Sequence, residues 1–157
     1  MYSTLMARFP HYNRETLLAR MRLLSRNAGM IASTLENTSD RAGGLRIGFP
    51  SAAAELGWQH AGGLVTLEFA EFERNSRASL ERYIEMLLGE CRTRNVALTR
   101  GVSFGFGVTR ISAASSMAES ADPFLRFAAG EESREEMENL CDCVEAVSLA
   151  FADCEAV

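Results

Sequence analysis

From Asn13 onward, Leu17, Leu18, Met21, Leu24, Ala28, Ile31, Ala32 and Leu35 recur every three or four residues. That is the period of an amphipathic helix of about five or six turns, with Asn13 as N-cap. Arg14, Arg20, Arg22 and Arg26 fall on its polar side. Two further stripes of the same period follow. Leu80, Tyr83, Ile84, Leu87, Leu88 and Cys91 form one, behind a cap at Asn75 or Ser76. Met137, Leu140, Cys141, Val144, Val147 and Phe151 form the other, behind the capping-box pattern Ser133-x-x-Glu136. Elsewhere the period drops to two. Leu45–Phe49 alternates and stops at Pro50; Val65, Leu67 and Phe69 alternate with Thr66 and Glu68; Val96–Val102 alternates again. In Phe124–Ala128, Leu125 and Phe127 point one way, and Phe124, Arg126 and Ala128 the other.

Between these elements, Asn37–Gly44 is turn chemistry and Ser51–Trp58 reads as one or two helical turns, with Trp58 assigned to the core. Val102–Gly107 reads as a strand end entering a glycine-rich bend, and Ser112–Ser116 as a hydroxyl-rich loop. The order predicts an α+β two-layer sandwich, a small, mostly antiparallel sheet with long helices packed on one face. Residues 1–12 are expected to be an N-terminal arm, 13–153 a single domain and 154–157 a frayed tail.

Composition removes several function classes. A net charge of −5 leaves no cationic excess to replace phosphate counterions, which argues against a nucleic-acid partner. No apolar run approaches membrane-spanning length and the first residues lack an apolar leader core, so a cytoplasmic location is expected. Cys91, Cys141, Cys143 and Cys154 have no zinc-finger spacing, and Cys141 and Cys143 diverge by about 200° on a helix. Reduced thiols and no metal site are expected. Gly105-Phe106-Gly107 lacks the third glycine of a dinucleotide loop and the Gly-Lys-Ser/Thr of a phosphate loop. Glu131-Glu132 and Glu135-Glu136 precede or open a helix and read as capping carboxylates.

One candidate remains. Arg126 interrupts an apolar strand beside small-residue loops, and a guanidinium fork matches the two oxygens of a carboxylate. A solvent-facing or acid-paired arginine would give the same pattern.

Several segments, in order, resemble the C-terminal domain of the trans-sulfuration (Cys/Met metabolism) family of pyridoxal-phosphate enzymes, such as cystathionine lyases and synthases and methionine lyase. They are Met21–Glu36, Gly62–Phe69, Ser103-Phe104-Gly105, Ala114-Ser115-Ser116-Met117 and Leu125–Glu132. The resemblance covers roughly residues 10–150. It implies that Arg126 grips the α-carboxylate of an amino-acid substrate. It also implies that Ser103, Phe104 and Gly105 orient that substrate, and that Ser115 and Ser116 border the same pocket. Phe104 stands where the family usually has Leu, and the segment Ala118–Pro123 is shorter than usual.

All sixteen basic residues are arginine. The family holds pyridoxal phosphate on a lysine of its larger N-terminal domain, and this chain contains no lysine. The expectation is therefore a substrate-binding domain or subunit of a C–S lyase or synthase that works with a PLP-binding large domain or subunit in a homo- or hetero-oligomer. It would be non-catalytic alone. The alternative is a stand-alone relative acting as an interaction or oligomerisation module.

Overall fold

A computed structural model describes residues 14–51, 60–103, 107–114 and 123–154. Helix α1 spans Arg14–Thr38, strand β1 Leu45–Gly48 and strand β2 Leu64–Phe69. A 3-10 turn at Phe72–Asn75 leads to helix α2, Arg77–Thr93. Strands β3, Thr99–Arg100, β4, Arg110–Ala114, and β5, Phe124–Ala128, precede helix α3, Arg134–Cys154. The expected arm at 1–12, the turns at 52–58 with Trp58, and residues 155–157 of the tail lie outside the described residues.

The five strands form one sheet in the order β1-β2-β5-β4-β3. Every pairing is antiparallel except that of β3 with β4. The α+β two-layer reading holds. Helix α1 packs on α3, α3 packs on α2, and all three lie against one face. That face is supplied by Leu45 of β1, Val65, Leu67 and Phe69 of β2, Ile111 and Ala113 of β4, and Leu125 and Phe127 of β5. Ile31 and Leu35 of α1, Leu80, Ile84 and Leu87 of α2, and Met137, Leu140 and Val144 of α3 are buried opposite. Full burial of each such side chain contributes about 1.5–3 kcal/mol before chain entropy is set against it.

Phe69, Tyr83 and Phe151 close one end of this core with ring centroids 5.0–5.7 Å apart, and the Tyr83 hydroxyl bonds the Ser148 hydroxyl at 2.9 Å. The caps of α2 and α3 behave as the sequence requires, while Asn13, the cap expected for α1, lies outside the described residues. Ser76 Oγ accepts from Ser79 N–H, and Ser133 and Glu136 exchange the two bonds of a capping box. Asn75 is not a cap. Its amide donates to the Phe69 carbonyl and accepts the Phe69 N–H, standing in for a neighbouring strand.

Two expectations along the second half need correction. The strand anticipated over Val96–Val102 is only Thr99–Arg100. Asn95 takes a left-handed φ of +56° to end α2, and Val96 N–H caps the Cys91 carbonyl, so the next residues belong to the helix exit. The loop read over Ser112–Ser116 begins inside strand β4 instead. Ile111 and Ala113 face the core while Arg110 and Ser112 face away. Ser112 is therefore a strand residue.

Candidate functional site

The sheet face turned away from the helices carries the site. Its middle row follows from the strand register. Gly48 lies opposite Thr66, Thr66 opposite Arg126, and Arg126 opposite Ser112. Gly101 N–H bonds the Ile111 carbonyl and extends the row past Ser112. Arg126 is thus the one long side chain in a row of Gly, Thr, Ser and Gly. At Gly48 a Cβ would collide with Thr66 Oγ1, so the glycine leaves room for that hydroxyl. Ser112 is only 5% exposed, and its Oγ has no hydrogen-bond partner among the described residues. Arg126 is half-buried, and its Nη2 donates to the Val102 carbonyl.

A second set of contacts ties Gly107 and Thr109 to the exit of β5. Glu131 N–H donates to the Gly107 carbonyl at 2.8 Å, and Gly130 N–H donates to Thr109 Oγ1 at 3.0 Å. The Glu132 carboxylate accepts the Thr109 N–H and is buried at 7% exposure. Gly130 has to be glycine. A Cβ there would lie 2.5 Å from the Thr109 nitrogen and 2.7 Å from the Gly107 oxygen. Glu131 meanwhile pairs with Arg20 at 2.8 Å. The two carboxylates read as capping groups therefore have other work. Glu135 and Glu136 sit in the first turn of α3 as expected, and Ser133 hydrogen-bonding holds the Glu136 carboxyl below the usual range.

Asn27 of α1 fastens this corner to the helices. Its amide donates to the carbonyls of Gly130 and Glu132, each at 3.0 Å, and accepts from Arg26. The exit of β5 is thus held from both layers.

Of the residues expected at the site, Arg126 and Ser103 fall in the described part. Ser103 is exposed and follows the Val102 carbonyl that Arg126 holds. Phe104, Gly105, Ser115 and Ser116 lie outside the described residues. Thr66, Ser112 and Arg110, which share the face with Arg126, were not anticipated. Alternation marks each as pointing away from the core, but only the cross-strand register makes them neighbours of Arg126.

The residues present do not fit a resident pyridoxal phosphate. The chain has no lysine to take up the aldehyde, and the open face offers arginines, hydroxyls and glycines in its place. Among the described residues, no group of three or more His, Cys, Asp or Glu could hold a metal ion. The four cysteines are free. Cys141 and Cys143 diverge as expected, Cys141 bonding Thr34 of α1 and Cys143 meeting Cys91 of α2.

The fold is that of one part of a known enzyme. The structure of cystathionine gamma synthase from Xanthomonas oryzae pv. oryzae with aminoacrylate and cysteine matches 88% of this chain and 36% of that one, with a TM-score of 0.58 and 23% identity. The same enzyme with cystathionine matches the same shares with a TM-score of 0.61 and 22% identity. The likeness is to the C-terminal domain of a pyridoxal-phosphate enzyme.

Among curated proteins, bifunctional enzyme flvA of Aspergillus flavus is 31% identical over 135 residues. That match takes in 86% of this chain and spans 16% of the relative's length. No family model matches the chain. No helix among the described residues is long and apolar enough to cross a membrane.

Proposed function

We propose that this chain is the substrate-binding C-terminal part of a trans-sulfuration-type pyridoxal-phosphate enzyme, a C–S lyase or synthase acting on a sulfur amino acid. The observation that carries the reading is the setting of Arg126. It stands alone in a row of small and hydroxyl residues, on the one sheet face that the helices leave open. The likeness to cystathionine gamma synthase supports it.

In this reading Arg126 takes the substrate's α-carboxylate with its guanidinium fork. Hydrogen bonds to a charged group of this kind contribute about 1.5–3 kcal/mol each when water is excluded. Ser103 follows the carbonyl that Arg126 holds, so its hydroxyl and backbone help to orient the bound amino acid. Phe104, Gly105, Ser115 and Ser116 complete the rim. The cofactor supplies the electron sink for bond cleavage and belongs to a lysine-bearing large domain or subunit elsewhere. This chain contributes binding and orientation, in a homo- or hetero-oligomer in the cytoplasm.

The test uses the enzyme assembled with its PLP-binding partner. Arg126→Ala should raise KM for the amino-acid substrate by about tenfold or more, the worth of one charged hydrogen bond. The visible absorption of the bound cofactor should stay unchanged. An unaltered KM would remove Arg126 from substrate binding. The short segment Ala118–Pro123 before β5 favours a second reading, a non-catalytic module that meets a partner or its own copy. A colourless, self-associated preparation with no affinity for amino acids would select that reading.

A further inference from the structure

The Thr109 bond satisfies only one oxygen of Glu132. Oε1 accepts that N–H, while Oε2 is buried with no partner among the described residues. The residue is 7% exposed, and an ionised carboxylate at that depth is costly unless its second oxygen is met as well. Arg26 does not meet it. That guanidinium reaches the Glu132 carbonyl and is itself held by Asn27 Oδ1. Arg94, at the exit of α2, pairs with Glu90.

Glu132 forms part of the wall of a cavity of about 120 Å³ between the exit of α2 and the start of α3. Asn95, Val96 and Ala97 supply one side of it, and Glu136 and Asn139 the other. Glu136 and Asn139 are three residues apart and share a face of α3. The volume is well under the roughly 300 Å³ at which small-molecule pockets begin, and it suits an ion with a few waters. The wall holds two carboxylates, two side-chain amides and no basic group. The start of α3 does not make it an anion site. Ser133 N–H is taken by Glu136 Oε2 and Glu136 N–H by Ser133 Oγ, which leaves Glu136 its other oxygen.

We infer that this cavity binds a hard divalent cation, calcium, between α2 and α3. Glu132 Oε2 and the second oxygen of Glu136 balance its charge. The amide oxygens of Asn95 and Asn139 add neutral ligands, and water fills the remaining positions, as oxygen-only sites of this kind allow. The cation joins the helix exit to the corner that also holds the end of β5. It is independent of the Arg126 reading.

The experiment is calorimetric titration of the purified protein with calcium chloride, then with magnesium chloride, after treatment with chelator. Wild type should bind one calcium at this site and gain a melting temperature that rises with calcium concentration. Magnesium, which demands a stricter octahedron, should bind about tenfold more weakly or less. Glu132→Gln keeps an acceptor for the Thr109 N–H but removes the charge, and should weaken calcium by about a hundredfold. Asn95→Gly accepts the left-handed φ of +56° and removes only the amide, and Asn139→Ala changes an exposed side chain. Each should weaken calcium by about tenfold.

If wild type neither binds calcium nor gains stability from it, the site is overturned and Oε2 is met by water alone. If Glu132→Gln binds calcium as wild type does, the ion sits elsewhere and the assignment fails. Should Glu132→Gln not fold, the two asparagine variants decide: unchanged affinity in both overturns the site.

Discussion

At the scale of single residues, the site depends on what is missing from glycines as much as on what arginine supplies. Gly130 illustrates this. Backbone atoms of Gly107, Val108 and Thr109 occupy the place where its side chain would go. Backbone cannot swing aside as a flexible side chain does. Gly130→Ala should therefore destabilise the domain by about 1–3 kcal/mol, the usual range for forced overpacking. A urea midpoint that falls with an unchanged slope is the expected result. Glu132 belongs to the same corner and is the residue that sequence reading most misplaced. Its position just before a helix suggested the dipole, whereas its carboxylate in fact accepts the backbone N–H of Thr109, just before β4 and twenty-three residues upstream. Nothing local in the chain encodes that partner. Arg126 was legible because an arginine in an apolar strand breaks a pattern. Thr66, Ser112 and Arg110 break none.

At the scale of elements, the helices join across the core through polar and sulfur atoms as well as apolar packing. Burial pushes the Tyr83 hydroxyl well above its usual range against the Ser148 bond, and pushes the Cys91 thiol up to about 12 from 9.0. Both groups are neutral when protonated, and the folded chain holds their protons more tightly than the unfolded chain does. Above pH 9 the unfolded state releases protons that the native state keeps, so stability is complete below about pH 9 and declines as the pH rises toward 12. Urea melts at pH 7, 9, 10 and 11 should show this fall. Tyr83→Phe should cost about 1–2 kcal/mol at pH 7, because Ser148 loses its buried partner, and should make the alkaline decline shallower. The helices were readable from the sequence because their apolar stripes run for many turns. Strand β4 was not. Its alternation covers only Arg110–Ala114 and is diluted by serine and glycine on either side, which read as loop. The strand over 96–102 was over-read for the opposite reason. Val96 and Leu98 alternate because they pack from a helix exit onto the core, with no ladder to join.

At the scale of the whole molecule, the sheet is covered on one side only. The helices bury its apolar face, and the other carries Arg46 opposite Glu68, the row around Arg126, and Leu64, Phe124 and Arg110. A surface of that mixture is polar enough to face water, and it also suits a cleft between two bodies. With no lysine in the chain, the cofactor chemistry of the proposed enzyme has to come from the second body. Affinity purification of the protein from its source cells should then yield a yellow preparation. Peptide mapping after borohydride reduction should place the pyridoxyl group on a lysine of the large domain or subunit, outside these 157 residues. A pyridoxyl label confined to this chain would contradict the division of labour.

The two ties made by β5 have a further consequence. Val102 and Gly107 are both pinned to one rigid strand and its exit, at Arg126 and at Glu131. The strand therefore fixes the separation of Val102 and Gly107. Any slip of β5 against its neighbours would carry both attachment points with it, so the register of β5 sets the position of two segments far from it in sequence.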